Sequence, residues 1–245
     1  MCFDSDSSPP IPVISGASVS HDDLVLEAED GNRFAAFRAT PDGRSDTGIV
    51  ILPDVRGLYR FYEELALRFA ERGHAAIAFD YFGRTAGIVK RPDDWDYMPH
   101  VQQTTIEGVQ ADVAACVAEL RDGGAGSIFT VGFCFGGRSS WAAAAFGHGL
   151  KGAIGFYGRS GMILQHVPRF EAPILALQAG ADAGIPPEEN AEFERVLREH
   201  GKRYELVTYD GAPHSFFDRK QEEFADASDD AWRRVLEFTE RHAAR

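Results

Sequence analysis

The stretch SIFTVGFCFGGRSSW, Ser127–Trp141, decides how the rest of the chain is interpreted. It begins with an apolar run typical of a strand buried on both faces, and it continues into a segment of helical character. Cys134 stands between the two, at the centre of Gly-Phe-Cys-Phe-Gly. This is the G-x-S-x-G turn, with cysteine in the position of the nucleophilic serine. The stretch therefore predicts a reactive thiol at the end of a strand.

The glycines on each side of Cys134 have a steric reason. A nucleophile on this sharp turn is strained, and side chains two residues before and after it would collide with the neighbouring strand and helix. The amides at the start of the following helix favour the thiolate. Free cysteines are more often small buried residues, and we assign that ordinary role to Cys2 and Cys116. For Cys134 the flanking glycines favour a nucleophile.

The strand-then-helix pattern recurs along the chain, which predicts parallel strands joined by helical crossovers in a three-layer α/β sandwich. Residues 1–20, rich in Ser, Pro and Asp, are expected to form an extended arm on the surface, and residues 21–245 a single domain. Two short runs around EDGN, residues 29–32, predict a β-hairpin at the start of that domain. The further buried strands are predicted in GIVILP, HAAIAFDYFG, KGAIGFYG, APILALQAG and RYELVTYD.

Composition limits the classes of function. The 245 residues carry a formal net charge of −13, which disfavours binding to a nucleic-acid backbone. Three cysteines without a CxxC pair argue against a disulfide framework or a cysteine zinc site. We find no signal peptide, membrane span, metal motif or phosphate-binding loop, so we expect a cytoplasmic monomer or small homo-oligomer that needs no cofactor or metal.

A cysteine at this turn needs a base and a group that orients the base. In α/β-hydrolases the chain order is nucleophile, acid, histidine. Asp182, in GADAGIP, and His214, in GAPHSFFD, each follow a predicted strand, so both should reach the same sheet edge as Cys134. The expected donors to an oxyanion are the backbone amides of Phe135 and of Val55, which follows the strand GIVILP.

These residues carry a resemblance to the dienelactone hydrolase family, which covers most of the chain from about Gly31. The matching motifs are Gly-Phe-Cys-Phe-Gly-Gly, the GADAGIP acid loop, APHSF, FDYFGRTAG and AIGFYG. The resemblance implies a three-layer α/β-hydrolase sandwich with a mostly parallel sheet and helices on both faces. It also implies hydrolysis of lactones and esters by a Cys-Asp-His triad, here Cys134, Asp182 and His214.

The resemblance further implies substrate and regulatory residues. Asp54 matches a carboxylate, usually glutamate, that holds the resting thiol in the family. Arg84 matches one of the arginines that bind a substrate carboxylate. A second would lie a few residues past the histidine, where this chain has Asp218 followed by Arg219. Arg56 falls where the family often has an apolar residue, and it either shapes the pocket or faces solvent.

The segment 84–100 is the least regular part of the chain, and loops of this length are often functional. Its aromatic residues Trp95 and Tyr97 either line the substrate pocket or pack the loop onto the core. We leave both interpretations open at this point.

The sequence thus favours a hydrolase of small esters or lactones that acts through a thioester acyl-enzyme. A broader carboxylesterase, or a thioesterase or acyl-transfer enzyme with the same three residues, is the alternative. A thiol redox protein is disfavoured by the absence of CxxC, and a non-catalytic binding protein by the presence of all three residues.

Overall fold

The computed structural model describes residues 3–4, 6–92 and 94–243. The buried apolar runs form strands of one eight-stranded sheet, in the order β1-β2-β4-β3-β5-β6-β7-β8. The strands are β1 Val19–Glu27, β2 Arg33–Pro41, β3 Thr47–Leu52, β4 Ala75–Phe79, β5 Ser127–Phe133, β6 Gly152–Phe156, β7 Ile174–Ala179 and β8 Tyr204–Tyr209. The α-helices are α1 Arg60–Ala70, α2 Gly83–Ala86, α3 Met98–Val101, α4 Ile106–Asp122, α5 Phe135–Ala143, α6 Pro187–Glu199 and α7 Ala225–Ala243.

The pairing of the strands confirms the predicted α/β fold. β1 and β2 form the antiparallel hairpin expected around EDGN, and β2 pairs antiparallel with β4. From β4 to β8 every neighbouring pair is parallel. The carboxyl ends of β3 and β5 to β8 therefore meet at one edge of the sheet, where ligands bind in folds of this type.

Alternating side chains of the strands bury two faces of the sheet. Ile49 and Ile51 of β3 belong to the same apolar cluster as residues of α1 and α7. Val50 and Leu52 of the same strand pack with residues of α4 on the other face. A third cluster joins α5 and α6 to β6 and β7. Helices thus cover both faces of the sheet, which confirms the three-layer sandwich.

A side-chain cap fixes the start of the helix that follows the irregular segment. α4 starts at Ile106 because Thr105 caps it, with its hydroxyl accepting a hydrogen bond from the Gly108 amide at 3.1 Å. The preceding turn, α3, is a separate helix with Pro99 near its start. Among the described helices, none combines the length and apolar character required to cross a bilayer.

The amino-terminal arm differs from the expected surface segment. The Phe3 and Ile11 side chains are buried, and the Phe3 ring stacks on Phe61 of α1 with 4.0 Å between centroids. Apolar side chains in an otherwise polar arm explain this, because their burial stabilises the docked arm. Cys2, which we assigned no reactive role, lies outside the described residues.

Candidate active site

Cys134 lies at the tip of a sharp turn between β5 and α5. Its backbone has φ 56° and ψ −110°, a conformation that is costly for a residue with a side chain. A Cβ on Gly132 would collide with the Gly136 carbonyl, and one on Gly136 would collide with the Leu52 carbonyl. The glycines are therefore required for β3, β5 and α5 to approach closely enough to make the turn.

Cys134 opens into a cavity of about 440 Å³ at the carboxyl edge of the sheet. Five consecutive strands of the sheet, β3 and β5 to β8, each contribute residues that follow them in the chain. The lining residues are Val55, Val101, Cys134, Phe135, Arg138, Tyr157, Arg159, Asp182, Ala183, Gly184, Ile185 and His214. The cavity thus brings together Cys134, Asp182, His214, Val55 and Phe135, as the sequence predicts.

His214 is held by Asp182. The His214 Nδ1 atom lies 2.5 Å from the Asp182 Oδ2 atom, and the other carboxylate oxygen accepts the amides of Gly184 at 2.8 Å and Ile185 at 3.2 Å. The Asp182 side chain is almost fully buried. These contacts orient the imidazole, which also forms a hydrogen bond with the Cys134 side chain.

The electrostatics of these three groups favour a charged imidazole. Burial lowers the pKa of His214, but hydrogen bonds with Asp182 and Cys134 and their charges outweigh it and raise the pKa to about 9. Burial acts to raise the pKa of Asp182, but the His214 hydrogen bond outweighs it, so this pKa lies below its ordinary value. A protonated His214 beside Cys134 supports an ionised sulfur.

Backbone strain is concentrated around this cavity. Among the described residues other than glycine, only Cys134, Tyr157 and Ser215 have positive φ, at 56°, 35° and 66°. Tyr157 packs on the His214 ring, with 4.9 Å between centroids, and Ser215 directly follows His214. Such conformations persist only where the surroundings enforce them, which is characteristic of functional sites.

The backbone amides of Val55, in the loop after β3, and of Phe135, at the start of α5, have no acceptor within the described part of the chain. The first amides of a helix lack intrahelical partners, which accounts for Phe135. Both residues line the cavity together with Cys134. Their amides therefore have the capacity to donate hydrogen bonds to a developing oxyanion.

Asp54 is fully buried in the loop that carries Val55. Its Oδ2 atom accepts the Tyr59 hydroxyl at 2.7 Å, and its Oδ1 atom accepts the Arg56 amide at 2.9 Å. Both oxygens are thus engaged by the same loop and the residue that precedes α1. This arrangement differs from the thiol-holding role that the resemblance implies.

The arginines proposed from the sequence do not line the cavity. Arg84 is paired with Asp30 and Asp112, each at 2.7 Å. Arg56 lies over the Tyr59 ring, 4.0 Å from its centroid, with its Nη2 atom 3.6 Å from Asp54. Because acidic side chains of this chain already occupy them, both differ from the expected substrate contacts.

Arg219 is likewise directed elsewhere. Its amide donates to the carbonyl of Ser8 at 3.1 Å, and its guanidinium donates to the carbonyl of Pro9 at 3.4 Å. The neighbouring Asp218 accepts the Ser7 hydroxyl at 2.6 Å. The segment after His214 therefore anchors the amino-terminal arm, and Arg219 does not reach the cavity.

Trp95 packs against the body of the protein instead of lining the cavity. Its ring lies 5.2 Å from that of Phe82 and 4.7 Å from that of His100, and Arg91 covers it at 4.5 Å. Tyr97 precedes α3 and is also absent from the lining residues. Val101, which directly follows this segment, lines the cavity. For Trp95, packing is the interpretation that the structure supports.

Sequence reasoning missed two arginines, Arg138 and Arg159, that line the cavity. The Arg138 guanidinium lies 4.6 Å from the Phe135 ring centroid and contacts the Met162 sulfur, and Arg159 donates to the Gly184 carbonyl. Neither forms an ion pair with a carboxylate among residues 3–4, 6–92 and 94–243. Arg138 could have been found from its place one helical turn after Cys134, whereas Arg159 has no such signal.

Within the described ranges, no three His, Cys, Asp or Glu side chains are grouped so that they could hold a metal ion.

Comparisons with known proteins agree with this fold. The profile of the dienelactone hydrolase family matches residues 34–243. A carboxymethylenebutenolidase of Rhodococcus opacus is 29% identical over 265 residues, covering 99% of this chain and 97% of that protein.

Solved structures are similar in fold. A dienelactone hydrolase-like promiscuous phosphotriesterase from metagenomic libraries has a TM-score of 0.77 at 20% identity, covering 93% of this chain and 99% of that one. An esterase of Pyrococcus furiosus has a TM-score of 0.71 at 17% identity, covering 96% and 98%. Strand order, the turn at Cys134 and the family profile lead to one conclusion: the chain belongs to the dienelactone hydrolase family.

Proposed function

We propose that this protein hydrolyses small carboxylic esters or lactones, with Cys134 as nucleophile, His214 as general base and acid, and Asp182 as the group that orients His214. The observation that carries the proposal is the hydrogen-bonded series Asp182–His214–Cys134 inside one cavity. Family membership and the carboxymethylenebutenolidase relative support ester hydrolysis.

The first half of the reaction forms a thioester. The Cys134 sulfur attacks the ester carbonyl carbon, and the carbonyl electron pair moves to oxygen. The amides of Val55 and Phe135 stabilise this oxyanion, each by about 3 kcal/mol if they resemble other donors of this kind. As the carbonyl re-forms, the carbon–oxygen bond to the alcohol breaks, and the leaving oxygen takes a proton from His214.

The second half releases the acid. Neutral His214, held in one tautomer by Asp182, accepts a proton from a water molecule that attacks the thioester. The carbon–sulfur bond then breaks, the sulfur leaves with the electron pair, and protonated His214 again faces an ionised Cys134. With a lactone the alcohol stays attached to the acyl group, so the product is a hydroxy acid.

The cavity favours substrates that carry an anionic group. Arg138 and Arg159 contribute two positive charges without a carboxylate partner in the described residues, in a chain whose formal net charge is −13. A guanidinium binds a carboxylate with charge-assisted hydrogen bonds. The remaining lining, Val55, Val101 and Ile185, suits a small apolar acyl chain.

The alternatives differ in what they need from the site. A broader carboxylesterase or a thioesterase uses the same three residues and differs only in the substrates it accepts. A thiol redox protein that forms an internal disulfide needs a second thiol, and Cys116, the other cysteine among the described residues, is fully buried and outside the cavity lining. The structure therefore favours hydrolysis over redox chemistry.

The decisive experiment compares ester, lactone and thioester hydrolysis before and after alkylation by iodoacetamide. A Cys2→Ser background removes a competing thiol, and substrate present during alkylation should protect the enzyme. We expect hydrolysis to disappear as one equivalent is incorporated at Cys134. Hydrolysis that survives full alkylation of Cys134 would contradict the proposal, and peroxide turnover without hydrolysis would favour the redox alternative.

A further inference from the structure

The peptide unit between Pro53 and Asp54 is held at both ends by tyrosine hydroxyls. The Tyr81 hydroxyl donates to the Pro53 carbonyl at 2.7 Å, and the Asp54 amide donates to the Tyr62 hydroxyl at 2.8 Å. Tyr62 and Tyr81 are both buried. Two side chains from different elements thus fix the start of the loop that follows β3.

The Asp54 side chain fixes the next part of this loop. Its carboxylate accepts the Arg56 amide at 2.9 Å and the Tyr59 hydroxyl at 2.7 Å. Burial first, and then the charge of Asp54, hold the pKa of Tyr59 well above its usual range. The Tyr59 hydroxyl therefore stays protonated and remains a donor to Asp54.

Among the amides of residues 54–58, that of Val55 is the one without an acceptor in the described part of the chain. The Asp54 carbonyl accepts the Gly57 amide at 3.1 Å, and the Leu58 amide donates to Asp80 at 3.3 Å. In a trans peptide the N–H points opposite to the C=O. Since the Asp54 carbonyl is directed to Gly57, the Val55 N–H is directed to the opposite side. Val55 is also the residue of this loop that lines the cavity.

We propose that Tyr59, Tyr62 and Tyr81 act with Asp54 as positioning residues that hold the Val55 amide toward the reacting carbonyl. The inference rests on the proposed function, in which that amide stabilises the oxyanion. It gives Asp54 a role in the transition state through Val55, whereas the family resemblance implies a role in holding the resting thiol. Preorganised donors stabilise developing charge without reorganisation during the reaction, which is the benefit of such a rigid loop.

The test separates the reaction that forms an oxyanion from one that does not. Tyr59→Phe, Tyr62→Phe and Tyr81→Phe each remove one hydroxyl and keep the ring. Ester hydrolysis needs the Val55 amide, but alkylation of Cys134 by iodoacetamide is a displacement at a saturated carbon and needs no oxyanion donor. The matched control is Tyr204→Phe, because the Tyr204 hydroxyl bonds to Glu194, away from the cavity lining.

We expect kcat to fall roughly tenfold to a hundredfold in the three variants, less than the roughly hundredfold to thousandfold loss seen when an oxyanion donor is removed, because the Val55 amide is displaced and not deleted. KM should change by less than about threefold, since only transition-state stabilisation is lost. The alkylation rate of Cys134 and its pH profile should match the parent enzyme, which also shows that each variant is folded. Tyr204→Phe should behave as the parent in both assays.

Two results would overturn the inference alone. One is an unchanged kcat in all three variants of an enzyme whose hydrolysis depends on Cys134. The other is a parallel loss of hydrolysis and alkylation with a shifted alkylation pH profile, which would mean that the tyrosines and Asp54 act on the thiol. Hydrolysis that survives Cys134→Ala is a different failure, because it overturns the proposed function on which the inference rests.

Discussion

Two sets of residues were expected at this site, namely Cys134, His214 and Asp182, and the arginines that would bind a substrate carboxylate. The structure brings the first set together but places the expected arginines elsewhere. Cys134, His214 and Asp182 lie in one cavity and are joined by hydrogen bonds. Of the arginines, Arg84 and Arg219 are engaged outside the cavity, by acidic side chains and by the amino-terminal arm. The three residues proposed to react thus lie where the resemblance implies, whereas the arginines that line the cavity are not those that it implies.

This difference has a physical basis. A nucleophile, base and acid must meet within hydrogen-bond distance, so each is tied to the end of a particular strand. A guanidinium on a long side chain can reach an anion from many backbone positions. Arg138 and Arg159 therefore supply the positive charge from α5 and from the segment after β6, without any change in the sheet.

The largest expected effect comes from substitutions of Cys134 and His214. Cys134→Ala and His214→Ala should each lower kcat/KM for a small ester by about a thousandfold or more, because each removes a group that forms or breaks bonds. Cys116→Ala and His200→Ala are the controls, since neither residue lines the cavity. Steady-state kinetics of hydrolysis measure this effect. If the Cys134 or His214 variant retained a tenth of the activity, the residue would be no more important for hydrolysis than the residues around it.

The second effect tests the arginines. Arg138→Ala and Arg159→Ala should raise KM for an ester with a carboxylate about tenfold to a hundredfold, the equivalent of one charged hydrogen bond of about 1.5–3 kcal/mol. A neutral ester of the same size should show little change. The measurement is kcat and KM for the matched pair of substrates.

Arg84→Ala and Arg219→Ala provide the contrast. Arg84→Ala should lower thermal stability, because it leaves buried Asp112 without its ion pair, while KM for the anionic ester stays near the parent value. Arg219→Ala should likewise leave that KM unchanged. An increase in KM confined to these two variants would return the anion site to the positions that the family resemblance implies.

The smallest effect is on pH dependence. The pKa of His214 is raised to about 9 from 6.5, so its imidazolium persists as the pH rises through neutrality and can balance an ionised Cys134. In a Cys2→Ser background, alkylation of Cys134 should change less than about threefold between pH 6.5 and 8.5. An unperturbed thiol, with a pKa of about 8.5, would react roughly fiftyfold faster across that range.

The Asp182→Asn variant tests whether Asp182 controls the charge state of His214 and Cys134. Removing the carboxylate lowers the basicity of His214, so more of the proton stays on sulfur at low pH, and alkylation at pH 6.5 should slow relative to pH 8.5. A pH profile that is the same in the parent and in Asp182→Asn would mean that Asp182 does not influence the charge state of the pair.

Local sequence patterns predicted some features of the site but not others. The glycines around Cys134 predicted the turn because their spacing is a steric requirement of that backbone. Asp182 and His214 could be placed because each follows a strand of a parallel sheet. The side-chain partners of Arg84, Arg219 and Trp95 could not, since they come from sequence-distant residues such as Asp112, Pro9 and Phe82.

By itself, the sequence determined the strand–helix alternation, the sharp turn at Cys134 and the order of the residues proposed to act with it. These depend on periodicity and on local backbone sterics, which a single chain displays directly. Only the tertiary structure decided that the arm binds the segment after His214, that three tyrosines fix the loop of Val55, and that Arg138 and Arg159 face the cavity. Such choices depend on which long side chains meet after the layers pack, and contacts between sequence-distant residues leave no periodic trace.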